Sequence, residues 1–111
     1  MTFKAGDVVT VDFPGVTGIK RRPVVVLSSE TYHTTRPDVI VGLITTKTSN
    51  LGVTDYILQD WSSAGLRVAS IFRSFIVTLP PAANLVFIGH LSERDWQGVY
   101  NCVQIALADF D

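Results

Sequence analysis

The sequence contains very few residues that could form disulfide bonds or bind metal ions. It has one cysteine, Cys102, and two histidines, His33 and His90, among 111 residues. A single cysteine cannot form an internal disulfide bond, and the three residues do not have the spacing of a zinc site. We therefore expect no disulfide framework, no metal ion and no other cofactor.

Long hydrophobic runs are also absent. The longest, at 24–27 and 39–44, are much shorter than the ~20 residues that a membrane-spanning helix needs. The N-terminus enters a strand pattern directly and lacks the apolar segment of a secretory signal. These observations predict a cytoplasmic protein that has no membrane partner.

The sequence has no excess of charge of either sign, because nine lysines and arginines balance ten acidic residues to a formal net charge of −1. This balance excludes a generic polyanion binder that is held by bulk electrostatics. Any contact with nucleic acid must therefore be local. The hydrophobic fraction of 47% indicates a folded protein, and the length fits one domain, residues 1–111.

The first two thirds of the sequence shows the pattern of short strands separated by turns. Apolar and polar residues alternate at 8–13, and further strands are predicted at 23–28, 39–45, 54–58 and 70–78. Gly42, inside the third strand, predicts a bulge or a close backbone approach. The polar segment 29–38 is predicted to be a loop. Short strands with frequent turns predict a small β-barrel or sandwich.

The last part of the sequence changes to helical spacing. Ser92 is a predicted N-cap, with Asp95 three residues later. The apolar residues that recur at helical spacing are Trp96, Val99, Val103 and Leu107. This pattern predicts an amphipathic helix of about four turns that packs on the strands.

Three consecutive cations, Lys20, Arg21 and Arg22, stand just before Pro23 and the apolar run that follows it. Charges in such a cluster have no packing role, so they are either solvated or face a ligand. The proline also favours an extended backbone at Arg22. The sequence therefore directs the search for a functional site to this cluster.

Several segments, taken in order, resemble the PemK/MazF-like toxin family. They are GDVVTVDFP (6–14), KRRPVVVLS (20–28), VIVGLIT (39–45), DWSSAGL (60–66), SIFR (70–73), TL (78–79) and IGHLS (88–92). The resemblance implies a mainly β protein, an SH3-like small β-barrel with a C-terminal helix. It also implies a homodimer that is the toxin component of a type II toxin–antitoxin system.

The resemblance further implies an activity and two kinds of partner. Most members of the family are metal-independent endoribonucleases that cleave single-stranded RNA, such as mRNA, at short sequences. They leave a 2′,3′-cyclic phosphate and a 5′-hydroxyl group. The expected partners are thus single-stranded RNA and a cognate antitoxin, whose extended acidic segment covers the active groove.

Arg22 and Thr45 match the catalytic arginine and threonine of the family. An arginine can hold two phosphate oxygens through its planar fork, and a threonine hydroxyl can donate to a phosphate oxygen or position the 2′-hydroxyl group. Arg73 is a third catalytic candidate, since it follows apolar residues in a strand. The residues expected to bind RNA or the antitoxin are Lys20, Arg21, Thr46 and Lys47.

The general base has no assigned residue. In part of the family, an aspartate two positions after the arginine that matches Arg73 acts as the base, and Phe75 stands there in this sequence. The loop at 15–19 lacks the histidine of some relatives. His33 is expected to be solvated in a polar loop or to serve as a base, and His90 to be a packing or hydrogen-bonding residue.

Two alternative functions remain open. Related toxins on the same fold poison DNA gyrase through the end of the C-terminal helix, here 107–111, and a degenerate member would bind only RNA or the antitoxin. The pair of Arg22 and Thr45 favours RNA cleavage. Phe72, Phe75 and Leu79 are candidates for either a dimer surface or the core, and the loops at 29–38 and 45–52 are expected to set base selectivity.

Overall fold

The computed structural model describes residues 3–15, 18–47 and 49–109. The six strands are β1 (Asp7–Gly15), β2 (Gly18–Val26), β3 (Val39–Thr45), β4 (Asp55–Ile57), β5 (Ile71–Leu79) and β6 (Val86–His90). The two α-helices are α1 (Glu30–Thr35) and α2 (Glu93–Ala106), and a short 3₁₀ helix covers Pro81–Ala83. Neither described α-helix combines the length and apolar character needed to cross a membrane.

The strands form one antiparallel sheet in the order β4-β5-β3-β2-β1-β6. The predicted fold class, mainly β with a C-terminal helix, is therefore confirmed. Over the described residues, no pairing joins the two edge strands β4 and β6, so the barrel is open. The sequence pattern did not reveal β6, whose residues are mostly half-buried or exposed and lack clear alternation.

Each face of the sheet carries its own hydrophobic cluster. On the first, Val8, Val25 and Ile44 pack with Val99 of α2, and we call this the α2 face. The second cluster contains Val9, Val11, Phe13, Val24 and Val41, and we call this the opposite face. The valines of β1 and β2 supply both clusters because successive side chains of a strand point to opposite faces.

Strand β2 begins earlier than predicted, at Gly18 rather than at residue 23. Its apolar end is confirmed as a strand that is covered on both faces, because Val24, Val25 and Val26 are each 0% exposed. The three cations thus lie within the strand. Residues 16 and 17, in the predicted turn, lie outside the described residues.

The bulge predicted for Gly42 is confirmed, and the close approach at this glycine comes from a side chain rather than from another backbone. The register between β3 and β5 shifts between Gly42 and Leu43, which is a bulge. A Cβ atom at Gly42 would also lie only 2.4 Å from the ring of Phe72. A side chain at this position would therefore push the Phe72 ring out of the core.

The prediction of a loop at 29–38 is wrong, because this segment contains α1. Ser29 is the N-cap, and its side chain accepts a hydrogen bond from the backbone N–H of Tyr32. Tyr32 also donates its hydroxyl hydrogen to Asp38, which ties the segment to the start of β3. The sequence pattern missed α1 because a six-residue helix without buried residues has no apolar period to detect.

The prediction for α2 is confirmed at its start and corrected at its end. Ser92 caps the helix by accepting a hydrogen bond from the backbone N–H of Asp95. Val99 is buried, as predicted, but Leu107 is 57% exposed because it follows the last helical residue in extended backbone. Cys102, which the predicted stripe left out, is buried instead.

Asp95 anchors the start of α2 to the segment that follows β4. Its carboxylate is 0% exposed and accepts hydrogen bonds from the Tyr56 hydroxyl (2.9 Å), the Gln59 N–H (3.0 Å) and the Asp60 N–H (2.8 Å). A buried carboxylate is tolerated when such donors replace its water. These bonds therefore hold β4 against the helix.

Replacing Tyr56 with phenylalanine should destabilise the protein by about 1.5–3 kcal/mol, since Asp95 then loses a donor. Burial, followed by the hydrogen bond to Asp95, raises the pKa of Tyr56 to about 12. Because the folded protein holds the tyrosine proton more tightly than the unfolded chain, Tyr56 stabilises the fold fully at pH values below about 10, the pKa of an unfolded tyrosine. This stabilisation is lost as the pH rises toward about 12. Urea unfolding of both proteins between neutral and alkaline pH should show their stability difference shrinking over this range.

The three candidates for a dimer surface separate into two groups. Phe72 and Leu79 are 0% and 5% exposed, so both belong to the core of the monomer. Phe75 is 51% exposed and lies edge-to-face on Phe13 with ring centroids 5.6 Å apart. Of the three, only Phe75 presents enough apolar surface to contribute to an interface.

Candidate functional site

The three cations of β2 alternate between the two faces of the sheet. In the pairing with β1, Lys20 lies opposite Phe13, Arg21 opposite Asp12, and Arg22 opposite Val11. Paired residues lie on the same face of the sheet. Arg22 therefore lies with Val11 on the face away from α2, which is the face that we call the opposite face. Arg21 lies on the α2 face. The compact cluster that the sequence suggests is thus divided by the sheet.

Arg21 is held by neighbours on its own face. Its Nη1 atom donates to Asp12 Oδ1 at 3.1 Å, and its Nη2 atom donates to Thr10 Oγ1 at 3.1 Å. These contacts engage both terminal nitrogens of the guanidinium group. Arg21 therefore differs from Arg22, for which no carboxylate within the described ranges is an ion-pair partner.

Arg22 and Thr45 occupy neighbouring positions on the opposite face. Val24 of β2 pairs with Leu43 of β3, and continuing this antiparallel register by two residues places Arg22 opposite Thr45. Adjacent strands lie about 4.8 Å apart. Both residues are half-buried, so they are accessible but supported by the sheet.

The Thr45 hydroxyl group lies where β3 ends and the next loop begins. Its Oγ1 atom accepts a hydrogen bond from the backbone N–H of Lys47 at 3.3 Å. The hydroxyl hydrogen stays available, because a hydroxyl group can accept and donate at once. Lys47 is exposed, and residue 48 of this loop lies outside the described residues.

Thr46 belongs to the α2 face. It lines a cavity of about 420 Å³ together with Thr10, Pro23, Leu66 and Arg67. This cavity lies behind the strand ends that carry Arg22 and Thr45. A ligand that reached Thr46 would therefore contact the sheet from the side away from Arg22.

Arg73 lies on the same face of the sheet as Arg22 and Thr45. It pairs with Leu43 of β3 on one side and with Asp55 of β4 on the other. Its Nε atom forms an ion pair with Asp55 Oδ1 at 3.4 Å. The sequence pattern did not single out Asp55, because only the strand register brings it beside Arg73.

These positions define a small cationic surface. Arg22, Thr45 and Arg73 lie on three adjacent strands, and Arg73 is two residues along β5 from the row of Arg22 and Thr45, so the backbones of the two arginines are about 12 Å apart. Long arginine side chains can reach across this gap from either side of Thr45. The surface can bind an anion such as a phosphodiester through two guanidinium groups and a hydroxyl group.

The two histidines are engaged elsewhere. His33 is half-buried on α1 and forms a hydrogen bond between its Nε2 atom and the Ser28 Oγ atom, so the prediction of a solvated loop residue is wrong. His90 ends β6, and its Nδ1 atom donates to Asp7 Oδ1 at 2.8 Å. This contact supports the expectation that His90 is a hydrogen-bonding residue.

Among the described residues, the carboxyl group with the most strongly lowered pKa, Asp60, lies away from this surface. Hydrogen bonds from Arg94 and then from Ser92 lower the pKa of Asp60 to about 2. The Arg94 Nε atom donates to Asp60 Oδ2 at 2.8 Å. These contacts join the segment after β4 to the first turn of α2, so they stabilise the fold rather than form a reactive group.

Solved structures with the same architecture are endoribonucleases and MazF toxins. This chain is similar to an endoribonuclease in complex with its cognate antitoxin from Mycobacterial species, with a TM-score of 0.77 and 16% identity over 95% of this chain and 94% of that chain. It is also similar to MazF from Deinococcus radiodurans, with a TM-score of 0.76 and 17% identity over 96% of both chains. These likenesses define the class of fold.

A third similar structure is the Mycobacterium tuberculosis toxin MazF-mt6, with a TM-score of 0.67 and 24% identity over 87% of this chain and 94% of that chain. No curated protein sequence shows significant similarity to this chain. The family model of the PemK-like, MazF-like toxin of type II toxin-antitoxin system matches residues 4–107. The chain therefore belongs to this toxin family.

Proposed function

We propose that this toxin is an endoribonuclease that cleaves single-stranded RNA, including mRNA, in the cytoplasm without a metal ion. The observation that carries the proposal is the register of β2 and β3, which brings Arg22 beside Thr45 on one face when it is continued two residues beyond Val24 and Leu43. Two structures with the same fold are described as endoribonucleases, which supports the proposal by analogy.

In the proposed reaction, the 2′-hydroxyl group of the RNA releases its proton to water, and its oxygen attacks the adjacent phosphorus to form a 2′,3′-cyclic phosphate. The bond from phosphorus to the 5′-oxygen breaks, and the 5′-oxygen takes up a proton from water. Arg22 stabilises the additional negative charge on the phosphate oxygens, because its planar guanidinium group can donate two parallel hydrogen bonds to them. Thr45 donates its hydroxyl hydrogen to a phosphate oxygen. Arg73 supplies further positive charge.

The proposal assigns no proton transfer to a histidine. His33 and His90 are bound to Ser28 and Asp7, respectively, and are on different elements from Arg22 and Thr45. Catalysis on this surface then rests mainly on alignment and on electrostatic stabilisation of the transition state. Both effects act without a metal ion.

Replacing Thr45 with valine should lower kcat/KM for RNA cleavage on the order of 10²-fold, since one donor to the transition state is lost. Valine keeps the β-branched shape, so the strand should stay folded. Replacement with serine keeps the hydroxyl group and should retain most of the activity. Equal rates for the valine and serine variants would show that the hydroxyl group has no catalytic role.

We also propose that the toxin forms a homodimer and that an antitoxin competes with RNA for the exposed cations. A cognate antitoxin is bound in the similar Mycobacterial structure. Exposed Lys20 and Lys47, together with Arg22, suit an extended acidic segment that orders on binding. Replacing Lys20, Arg21 and Arg22 together with alanine should weaken antitoxin binding, and unchanged affinity would reject this competition.

A further inference from the structure

Asp55 is the carboxylate that accompanies the candidate surface, and two hydrogen bonds to Gly52 fix its position. Its side chain is only 10% exposed. Its Oδ2 atom accepts a hydrogen bond from the Gly52 N–H at 2.9 Å, and its own N–H donates to the Gly52 carbonyl oxygen at 3.1 Å. The carboxylate is thus locked to the loop that connects β3 and β4.

The ion pair engages only one part of the Arg73 guanidinium group. The Nε atom faces Asp55, while no second carboxylate within the described residues is an ion-pair partner of Arg73. An arginine has five N–H donors, so the terminal nitrogens remain available to a ligand. The side chain is 32% exposed, and a ligand can therefore reach it.

The strand register places this fixed cation next to the proposed catalytic pair. Asp55, Arg73 and Leu43 form one row across β4, β5 and β3, and Ile71 and Thr45 belong to the next row on the same face. Arg73 is diagonal to Thr45, a relation in which backbones are about 7–8 Å apart. A long side chain can cover this distance.

We infer that Asp55 is a positioning residue, which orients Arg73 to hold a phosphate group of the RNA adjacent to the scissile one. The inference rests on the proposed function, and it adds Asp55 and its bond to Gly52 as the device that sets the direction of Arg73. The loop between β3 and β4 is thereby coupled to RNA binding, because a shift of Gly52 moves the carboxylate that holds Arg73.

Whether RNA binds more weakly or more tightly after Asp55 is replaced distinguishes a positioning role from a purely electrostatic one. A carboxylate near bound RNA repels the phosphates, so removing its charge should strengthen binding if Asp55 does nothing else. A positioning role predicts weaker binding, because Arg73 then loses its fixed direction. Asp55→Asn is the variant of choice, since it is nearly isosteric and keeps one carbonyl oxygen.

The experiment measures binding of a fluorescein-labelled mixed-sequence RNA that is 2′-O-methylated throughout, so that it cannot be cleaved. Fluorescence anisotropy over a series of salt concentrations compares wild type, Asp55→Asn, Arg73→Gln and the double variant. Arg94→Gln is the matched control, because Arg94 is an exposed arginine of α2 that forms an ion pair with Asp60, away from the candidate surface. Urea unfolding of every variant verifies that the proteins compared are folded.

Arg73→Gln should weaken binding about tenfold. It should also reduce the slope of log Kd against log salt concentration by about one, which corresponds to one lost phosphate contact. Asp55→Asn should weaken binding several-fold, and the double variant should bind like Arg73→Gln alone, since Asp55 acts through Arg73. Arg94→Gln should bind like wild type. Asp55→Glu, which restores the charge, should recover part of the affinity if Asp55→Asn proves too unstable to compare.

Unchanged or tighter binding by Asp55→Asn, or additive losses in the double variant, would overturn the inference. Cleavage of unmodified RNA that still depends on Arg22 would leave the proposed function intact in that case. A wild-type protein that neither binds the methylated RNA nor cleaves the unmodified RNA would reject both. The two failures are therefore distinguishable.

Discussion

Replacing Arg22 with alanine should lower kcat/KM for RNA cleavage by about 10²–10³-fold or more, because the transition state loses its charged donor. The surrounding fold should not change. Arg22 is half-buried at the polar end of β2, and within the described residues no ion pair depends on it. Single-turnover cleavage of RNA, with circular dichroism to verify folding, measures the effect.

Two further variants show whether the guanidinium group itself matters. Arg22→Lys keeps the positive charge but loses the planar fork, so it should recover only a small part of the activity. Arg94→Ala removes a positive charge from an exposed site of α2 beside Asp60 and should cleave at the wild-type rate. Equal losses in Arg22→Ala and Arg94→Ala would show that overall charge, rather than the site, governs the reaction.

Replacing Gly65 with alanine should destabilise the protein by about 3 kcal/mol or more, a large share of the stability of a small domain. Gly65 has φ = +87°, and a Cβ atom there would lie 2.1 Å from the carbonyl oxygen of Ile88. Both chain segments would have to separate. The midpoint of urea unfolding should fall accordingly, or the variant should fail to fold.

Two other glycines distinguish the steric clash at Gly65 from the strain of its positive φ. Gly89 lies in the segment that contacts Gly65, and a Cβ atom at Gly89 would lie 2.1 Å from the Ala64 carbonyl oxygen. The backbone of Gly89 does not have a positive φ. Gly18 has φ = +118°, and no atom of the described residues lies within 4 Å of its Cβ position. Gly89→Ala should therefore also destabilise strongly, and Gly18→Ala should cost less, about 1–3 kcal/mol from backbone strain alone. The reverse order would contradict the close contact of the two segments.

The sequence predicts the fold best where local signals and burial agree. The apolar run ending β2, the strand around Gly42 and the capped start of α2 combine strong patterns with tertiary contacts, and the structure confirms them. Helix α1 and strand β6 depend on contacts instead. Tyr32 with Asp38 and the pairing of β6 with β1 link positions whose own patterns are weak.

The candidate site could be predicted by residue type but not by arrangement. The family resemblance identifies Arg22, Thr45 and Arg73, yet the start of β2 decides that Arg21 faces away from Arg22. The predicted strand began after the cations, so their alternation could not be read. Asp55 also required the register of β4 with β5, which no local pattern reveals.

The most direct test of the account is the cleavage of a mixed-sequence single-stranded RNA by the purified protein in excess chelator. The account predicts cleavage that leaves 2′,3′-cyclic phosphate and 5′-hydroxyl ends and that is lost in Arg22→Ala. Cleavage that persists in Arg22→Ala would contradict it. Absence of cleavage in every sequence context, together with inhibition of gyrase supercoiling, would instead identify a toxin that acts on gyrase.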